Sequence, residues 1–358
     1  MRIRAKVRNI TAELFIVGAL VTFVLTGCTF KPEAVKTPVE LPAGFSQTGT
    51  DRQPDRWWLA FEDPPLNSLV ERALKDNFSL KASWEKLNQV RAVYLKSRSG
   101  MFPTLDGEAG AVRTDSKTGG SSVDTNKLTL GLSAQYEVDL WGEIDSTIEA
   151  ARLDADASAA DLETAAMTIV ASVARAWYGL VAQDISIRIL EKQIEINSKG
   201  LELILAQFRT GQAPMADVLQ QRQLIESKVG ERVKLEAEKQ QSQHQLEILT
   251  GQTPGANSFQ VPEQLALLPP LPSTGIPSEL ILSRPDVRSA FHDLLAADAR
   301  TAAAVADRFP ALRLSLSLET SGSSTGDIFN NYLSSVAAGL VGPVIDGGRR
   351  KAEVDRTR

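Results

Sequence analysis

From Leu128 to Asp139 the chain alternates strictly. The even positions are Leu128, Leu130, Leu132, Ala134, Tyr136 and Val138, and the odd ones Thr129, Gly131, Ser133, Gln135, Glu137 and Asp139. A period of two places the two sets on opposite faces of a β-strand. Such a strand is either half-buried in an antiparallel sheet or transmembrane, which takes about 9–11 residues with one apolar and one polar face. Periodicity alone leaves both open. Residues 103–113 alternate more weakly and are the expected hairpin partner, with the polar, Gly/Ser-rich stretch 114–127 as the loop between them.

Elsewhere the period is helical. Leu66, Leu69, Val70, Ala73 and Leu74, then Leu80, Trp84, Leu87 and Val90, recur at spacings of three and four, interrupted by Asn77 as a cap residue. Phe102-Pro103 breaks the pattern. Residues 143–209 contain no proline and two glycines, Gly179 and Gly200. They predict one helix of roughly 100 Å, which no globular core covers, so it must pack in a coiled coil or bundle. Alanines dominate its first half; Trp177, Leu180, Ile189 and Leu203 anchor the second. Thr210-Gly211-Gln212-Ala213-Pro214 then reverses the chain into a returning helix ending near Leu249.

Residues 251–286 are proline-rich, with a short helix expected from Ile276 to Ser283. Beyond them the earlier order returns. Shifted by 207 positions, segment 77–105 lies on 284–312 without a gap, with Leu87/Leu294, Ala92/Ala299, Phe102/Phe309, Pro103/Pro310 and Leu105/Leu312 identical. The repeating unit is helix, two strands, long helix, returning helix. The expected organisation is therefore a first repeat over 57–250, with a strand pair at about 103–139 and a hairpin at about 143–249. A linker at 251–286 and a second repeat over 287–358 follow, the latter with a strand pair at about 310–345 and the start of a long helix. The second copy has ten residues after Gly348, roughly 100 short of the first copy's hairpin. The expectation is a chain truncated in its second repeat that does not conduct by itself.

Composition removes several function classes. The net charge is −5, and because the first 27 residues carry four basic groups and one acid, the remainder is −8, which argues against nucleic acid. Two histidines, His244 and His292, and one cysteine, Cys28, supply neither a His/Cys metal cluster nor an intrachain disulfide. No cofactor motif is present. The acidic residues of the helices are spread as solvated faces, and both histidines read as surface or packing residues, so an enzyme is not expected. At the N-terminus, Arg2, Arg4, Lys6 and Arg8 precede an apolar run from Leu14 to Leu25, too short for a spanning helix and suited to an export signal. The run ends in Leu25-Thr26-Gly27-Cys28, which resembles a bacterial lipobox. Residues 1–27 are then a signal peptide, and Cys28 receives three acyl chains, more than stable anchoring needs. Thr29 after the cysteine implies, by resemblance to such lipoproteins, sorting to the outer membrane. Residues 28–56 read as an extended lipidated tether.

Four segments carry a family resemblance. They are Trp57-Trp58 with Phe61 and Asp63-Pro64-Pro65-Leu66; Gln207 to Leu219; Arg284-Pro285-Asp286-Val287; and Gly342-Pro343-Val344-Ile345-Asp346-Gly347-Gly348. In this order the chain resembles the TolC-like outer-membrane efflux proteins, in their NodT-type lipoprotein branch. The resemblance implies a mainly α fold with transmembrane β, in which a long coiled-coil hairpin is joined by four strands per subunit. A homotrimer then closes a 12-stranded barrel with its apolar face to outer-membrane lipid and Glu137, Asp139 and Glu319 to water. It also implies a periplasmic adaptor and an inner-membrane pump as partners, and passive conduction of small toxic compounds or drugs. The adaptor contact falls at the hairpin tip: Arg209, Thr210, Gly211, Gln212, Ala213 and Asp217. Gly211 and Asp217 equally suit plain turn geometry and helix N-terminal charge. In related channels the gating constriction lies on the second hairpin, so no gating residue is carried over. Two alternatives remain: the same fold in protein secretion, and a periplasmic coiled-coil adaptor lipoprotein without a barrel, which would not need two alternating strand pairs.

Overall fold

A computed structural model describes residues 51–52, 56–119, 121–255, 259–273 and 277–358; Cys28, the signal segment and most of the tether lie outside the described residues. The elements in chain order are α1 (Pro64–Asp76), α2 (Phe78–Arg98), β1 (Thr104–Thr118), β2 (Ser121–Val138), α3 (Glu143–Arg209), α4 (Met215–Leu249), α5 (Pro277–Ser283), α6 (Pro285–Ala306), β3 (Ala311–Gly322), β4 (Tyr332–Val341) and α7 (Arg349–Thr357). Helices α2 and α6, and strands β1 and β3, start 207 residues apart, so the internal repeat is a repeat of elements. The compact units cut across it. One gathers residues 90–155 with 291–358, and the other the described residues of 40–89 with 156–290.

The first unit holds one antiparallel sheet in the order β1-β2-β3-β4. Its central pairing joins the two repeats, from Leu128 opposite Gly322 to Val138 opposite Leu312. The segment 114–127, expected as a loop, is instead strand. The β1–β2 ladder continues through Thr114 opposite Thr125 to Thr118 opposite Ser121, turning at Gly119 with φ 62°. Ladder hydrogen bonds come from the backbone, so polar residues extend a hairpin as readily as apolar ones once its register is set.

In the second unit the motif at 57–66 closes a core. Trp58 and Leu66, Leu69, Val70 and Ala73 of α1 pack with Val173, Trp177 and Leu180 of α3 and Leu246 of α4. By length and composition α3 contains a stretch able to cross a bilayer, yet its apolar side around Trp177, 1% exposed, is taken up by this core. Asp63 caps α1 by accepting from the Leu66 amide at 3.2 Å, and its other oxygen accepts from the Trp177 indole Nε1 at 2.8 Å. Tyr178 lies beside it, and burial together with the Asp63 carboxylate pushes its phenol up to about 12. Asn77 ends α1; its Oδ1 accepts from the Leu80 amide and its Nδ2 donates to the Leu249 carbonyl at 2.8 Å, tying α1 to the end of α4. At that end Gly251 adopts φ 75°, with Gly251 N donating to Ile248 O and Gln252 N to Glu247 O, a Schellman cap. A Cβ on Gly251 would stand 2.4 Å from the Asp76 carbonyl oxygen, so both conformation and space require glycine.

Helices α3 and α4 form an antiparallel hairpin on heptad spacing. Ile187, Leu190, Ile194, Asn197, Leu201 and Ile204 of α3 are separated alternately by three and four residues, as are Val218, Gln221, Ile225 and Lys228 of α4. One contact shows the register: Gln221 Nε2 donates to the Asn197 backbone oxygen at 2.9 Å and to its Oδ1 at 3.1 Å. Continued by heptads, this register sets Val173 across from Leu246, and both are fully buried in the one core.

Candidate functional site

The sheet has two unlike faces, and pairing carries each across all four strands. On one face Ala134 lies between Leu105 and Leu316, and Leu316 is followed by Val336; the next rows hold Tyr136, Leu314 and Ala338, then Val138, Leu312 and Leu340. This face is bare: Leu316 is 51% exposed and Val336 83%, with Leu105, Leu132, Leu318 and Leu340 likewise exposed. A soluble protein rarely leaves a contiguous apolar face of this extent uncovered.

The face has the height of a bilayer core. From Leu128 to Val138 a strand rises about 34 Å, and a tilt of roughly 35–45° reduces this to about 24–28 Å along the membrane normal, against the ~25 Å apolar band of outer-membrane barrels. Exposed aromatics flank it, Phe102 and Phe309 at one end and Phe329 and Tyr332 at the other, where ring side chains suit headgroup level. Above Leu128 the same face turns polar. Asn126 lies opposite Arg113, and Arg113 contacts Asp115 and Asp124 at 3.5 and 3.4 Å.

The opposite face is polar throughout its middle. Arg313 Nε meets Glu137 Oε2 at 2.9 Å, Ser317 and Ser335 hydroxyls are 2.8 Å apart, and Lys127 faces Glu319 at 3.8 Å. Among the described residues β1 and β4 pair on one side only, leaving two open edges. Four strands cannot close a barrel, and exposed edges seek further strands.

Where the sheet meets the helices, the two repeats lock together. Trp141 stacks on Phe309 with centroids 4.9 Å apart and donates from Nε1 to the Pro310 carbonyl at 2.8 Å. Gly342 passes so close to Pro310 that a Cβ would reach its Cγ at 2.8 Å. An aspartate holds the start of both α3 and α7. Asp139 Oδ2 accepts from the Asp145 amide at 2.8 Å, and Asp346 accepts from the Gly348 and Arg350 amides at 2.9 and 3.3 Å. These backbone bonds draw the Asp346 carboxyl below the ordinary range. Arg350 adds an ion pair to Asp307 at 2.9 Å and donates to its carbonyl. Sequence reasoning missed this cluster, although the same 207-residue offset that aligns Phe102 with Phe309 aligns Asp139 with Asp346. Burial, followed by the charges of Asp307, Glu137 and Asp139, raises the Glu143 carboxyl against the pull of Arg350.

The hairpin tip brings the residues singled out there to one end of the coil. Gly211 has φ 72°, with Gly211 N donating to Phe208 O and Gln212 N to Gln207 O, a second Schellman turn. Arg209, Thr210, Gly211, Gln212 and Asp217 are exposed and Ala213 half-buried. Asp217 stands in the first turn of α4, where its charge suits the helix dipole. Cys28 lies outside the described residues. His244 faces the buried Glu247 carboxylate at 3.2 Å, which also accepts from the Gly255 amide at 2.7 Å. Among the described residues no group of three acids, histidines or cysteines is arranged to hold a metal.

Comparison with known proteins places this geometry. A family model described as "Outer membrane efflux protein" matches residues 69–252 and 276–358. The pyoverdine export outer membrane protein OpmQ of Pseudomonas aeruginosa is 32% identical over 330 residues, covering 88% of this chain and 68% of the relative. The cation efflux system protein CusC of Escherichia coli is 26% identical over 348 residues, 94% of this chain and 75% of the relative. Among solved structures, the outer-membrane channel OprN superposes with a TM-score of 0.83 at 26% identity, covering 92% of this chain and 76% of that one. The open-state MtrE outer membrane channel of Neisseria gonorrhoeae gives a TM-score of 0.80 at 26% identity, with the same coverage.

Proposed function

The chain belongs to the outer membrane efflux protein family, and from that premise we propose that it is one subunit of a homotrimeric outer-membrane channel of the kind that conducts small solutes passively from an inner-membrane pump. The observation that carries this reading is the four-stranded sheet, apolar and bare on one face, polar on the other and open at both edges. Three copies supply twelve strands, and pairing β4 of one copy with β1 of the next satisfies every edge. The apolar face then meets lipid and the Glu137–Arg313 face lines the water-filled lumen.

Within this reading Cys28 carries the acyl anchor, and the tip residues Arg209 to Ala213 and Asp217 meet a periplasmic adaptor. Exposure of the tip and the Schellman turn that shapes it support that role. The relatives named for export of pyoverdine and efflux of cations favour small solutes over polypeptides as cargo. Conduction needs a lumen and not a reacting group, so the reading assigns no catalysis. The test is outer-membrane fractionation with heat-modifiable trimer bands. Trimers that dissociate on boiling support the reading, and a monomeric soluble periplasmic product refutes it.

A further inference from the structure

We propose that the Asn197–Gln221 pair is a register lock that positions the hairpin tip. The lock is built from both amides. Gln221 Nε2 donates to the Asn197 backbone oxygen and Oδ1, and Asn197 Nδ2 donates to Gln193 O at 2.8 Å. The neighbouring seam positions are Ile194, Leu201 and Ile204 on α3 and Val218 and Ile225 on α4, all of them apolar. Apolar layers pack equally well after a slide of one heptad, about 10 Å of helix, so they hold the helices together without choosing between registers. The amide pair does choose. A heptad slide in either direction sets the Gln221 amide against Leu190 or Ile204, leaving it without the partner that satisfies it. The lock stands 14 residues before Gly211 and ten before it from the other side, close enough to set which residues form the apex. Asn197 and Gln221 are thus positioning residues, acting through the tip; this second part rests on the adaptor-docking reading above.

The experiment uses the full chain in outer membranes, with engineered cysteine pairs that report register. Leu201→Cys with Val218→Cys forms a disulfide in the native register, and Leu201→Cys with Ile225→Cys in the slipped one. With the amides intact, the native pair closes and the slipped pair stays open. In the Asn197→Leu/Gln221→Leu background the slipped disulfide rises more than about tenfold, the scale of one lost hydrogen bond, and capture of the purified adaptor falls with it. The exchange Asn197→Gln/Gln221→Asn, which keeps an amide pair in the layer, restores both. Native-only cross-linking in the double-leucine background overturns the lock and assigns register to the turn. Slippage with unchanged adaptor capture leaves the lock standing but overturns its positioning role, and with it docking at the tip.

Discussion

Leu316 and Leu318 occupy the two central rows of the apolar face, with rows reaching Val138 on one side and Leu128 on the other. An arginine at Leu316 would therefore sit at the bilayer midplane. Depth-dependent measurements on outer-membrane barrels put the cost of such a residue at about 2–4 kcal/mol, falling to ~0–1 near the interfaces. Three copies per trimer make this roughly 6–12 kcal/mol, comparable to the whole stability of a small domain. Ser317→Arg, one residue away, points to the polar face beside Ser335 and should cost close to nothing. Leu312→Arg, at the band's edge, should fall between. The assay is urea-induced unfolding of protein refolded into lipid vesicles, read by heat-modifiable mobility. The expected order of destabilisation is Leu316→Arg, then Leu312→Arg, then Ser317→Arg. Equal tolerance of Leu316→Arg and Ser317→Arg would refute the assignment of this face to lipid.

Other substitutions probe the helical unit and the junction. Asp63→Ala removes a helix cap and the acceptor of a buried indole, at a combined cost of about 2.5–4 kcal/mol in a thermal or denaturant melt; a loss under about 1 kcal/mol would mean that water replaces the carboxylate. Gly251→Ala must adopt φ 75° and collides with Asp76, whereas Gly211→Ala has φ 72° but open space. The second should cost about 1–2 kcal/mol, the left-handed penalty alone, and the first clearly more. Glu143 binds its proton more tightly folded than unfolded, so stability falls as pH climbs from the ordinary value of 4.5 through the raised one, and the full penalty is present at neutral pH. Glu143→Gln should therefore raise the melting temperature at pH 7 and flatten its decline above pH 4.5; an unchanged profile would remove Glu143 from the account.

The sequence showed most where physics writes long, regular patterns. Strict alternation at 128–139, the proline-free interval before Thr210, and the repeated Phe-Pro breaks all coincide with elements of the structure. The strands at 114–127 stayed hidden because cross-strand backbone bonds leave no mark on side-chain polarity. Pairing of β2 with β3 was equally invisible, since it joins residues more than 170 positions apart with nothing local to report it. The ion pairs of Arg350 with Asp307 and Asp346 were missed for a similar reason: such a pair leaves ordinary surface-type residues in the sequence. The tip residues were singled out through family resemblance, while the Asn197–Gln221 contact beneath them could have been read from two amides at heptad positions between apolar neighbours, Ile194 and Leu201 on one helix and Val218 and Ile225 on the other.

The most direct test of the central claim is a spin-label scan along β3, with single labels at positions 314 to 319 in Cys28→Ala protein reconstituted in bilayers. The account predicts strict alternation: labels at 314, 316 and 318 relaxed by lipid-dissolved oxygen, and labels at 315, 317 and 319 by a water-soluble paramagnet. Uniform water accessibility, or burial of both sets, would contradict a lipid-facing sheet and with it the channel.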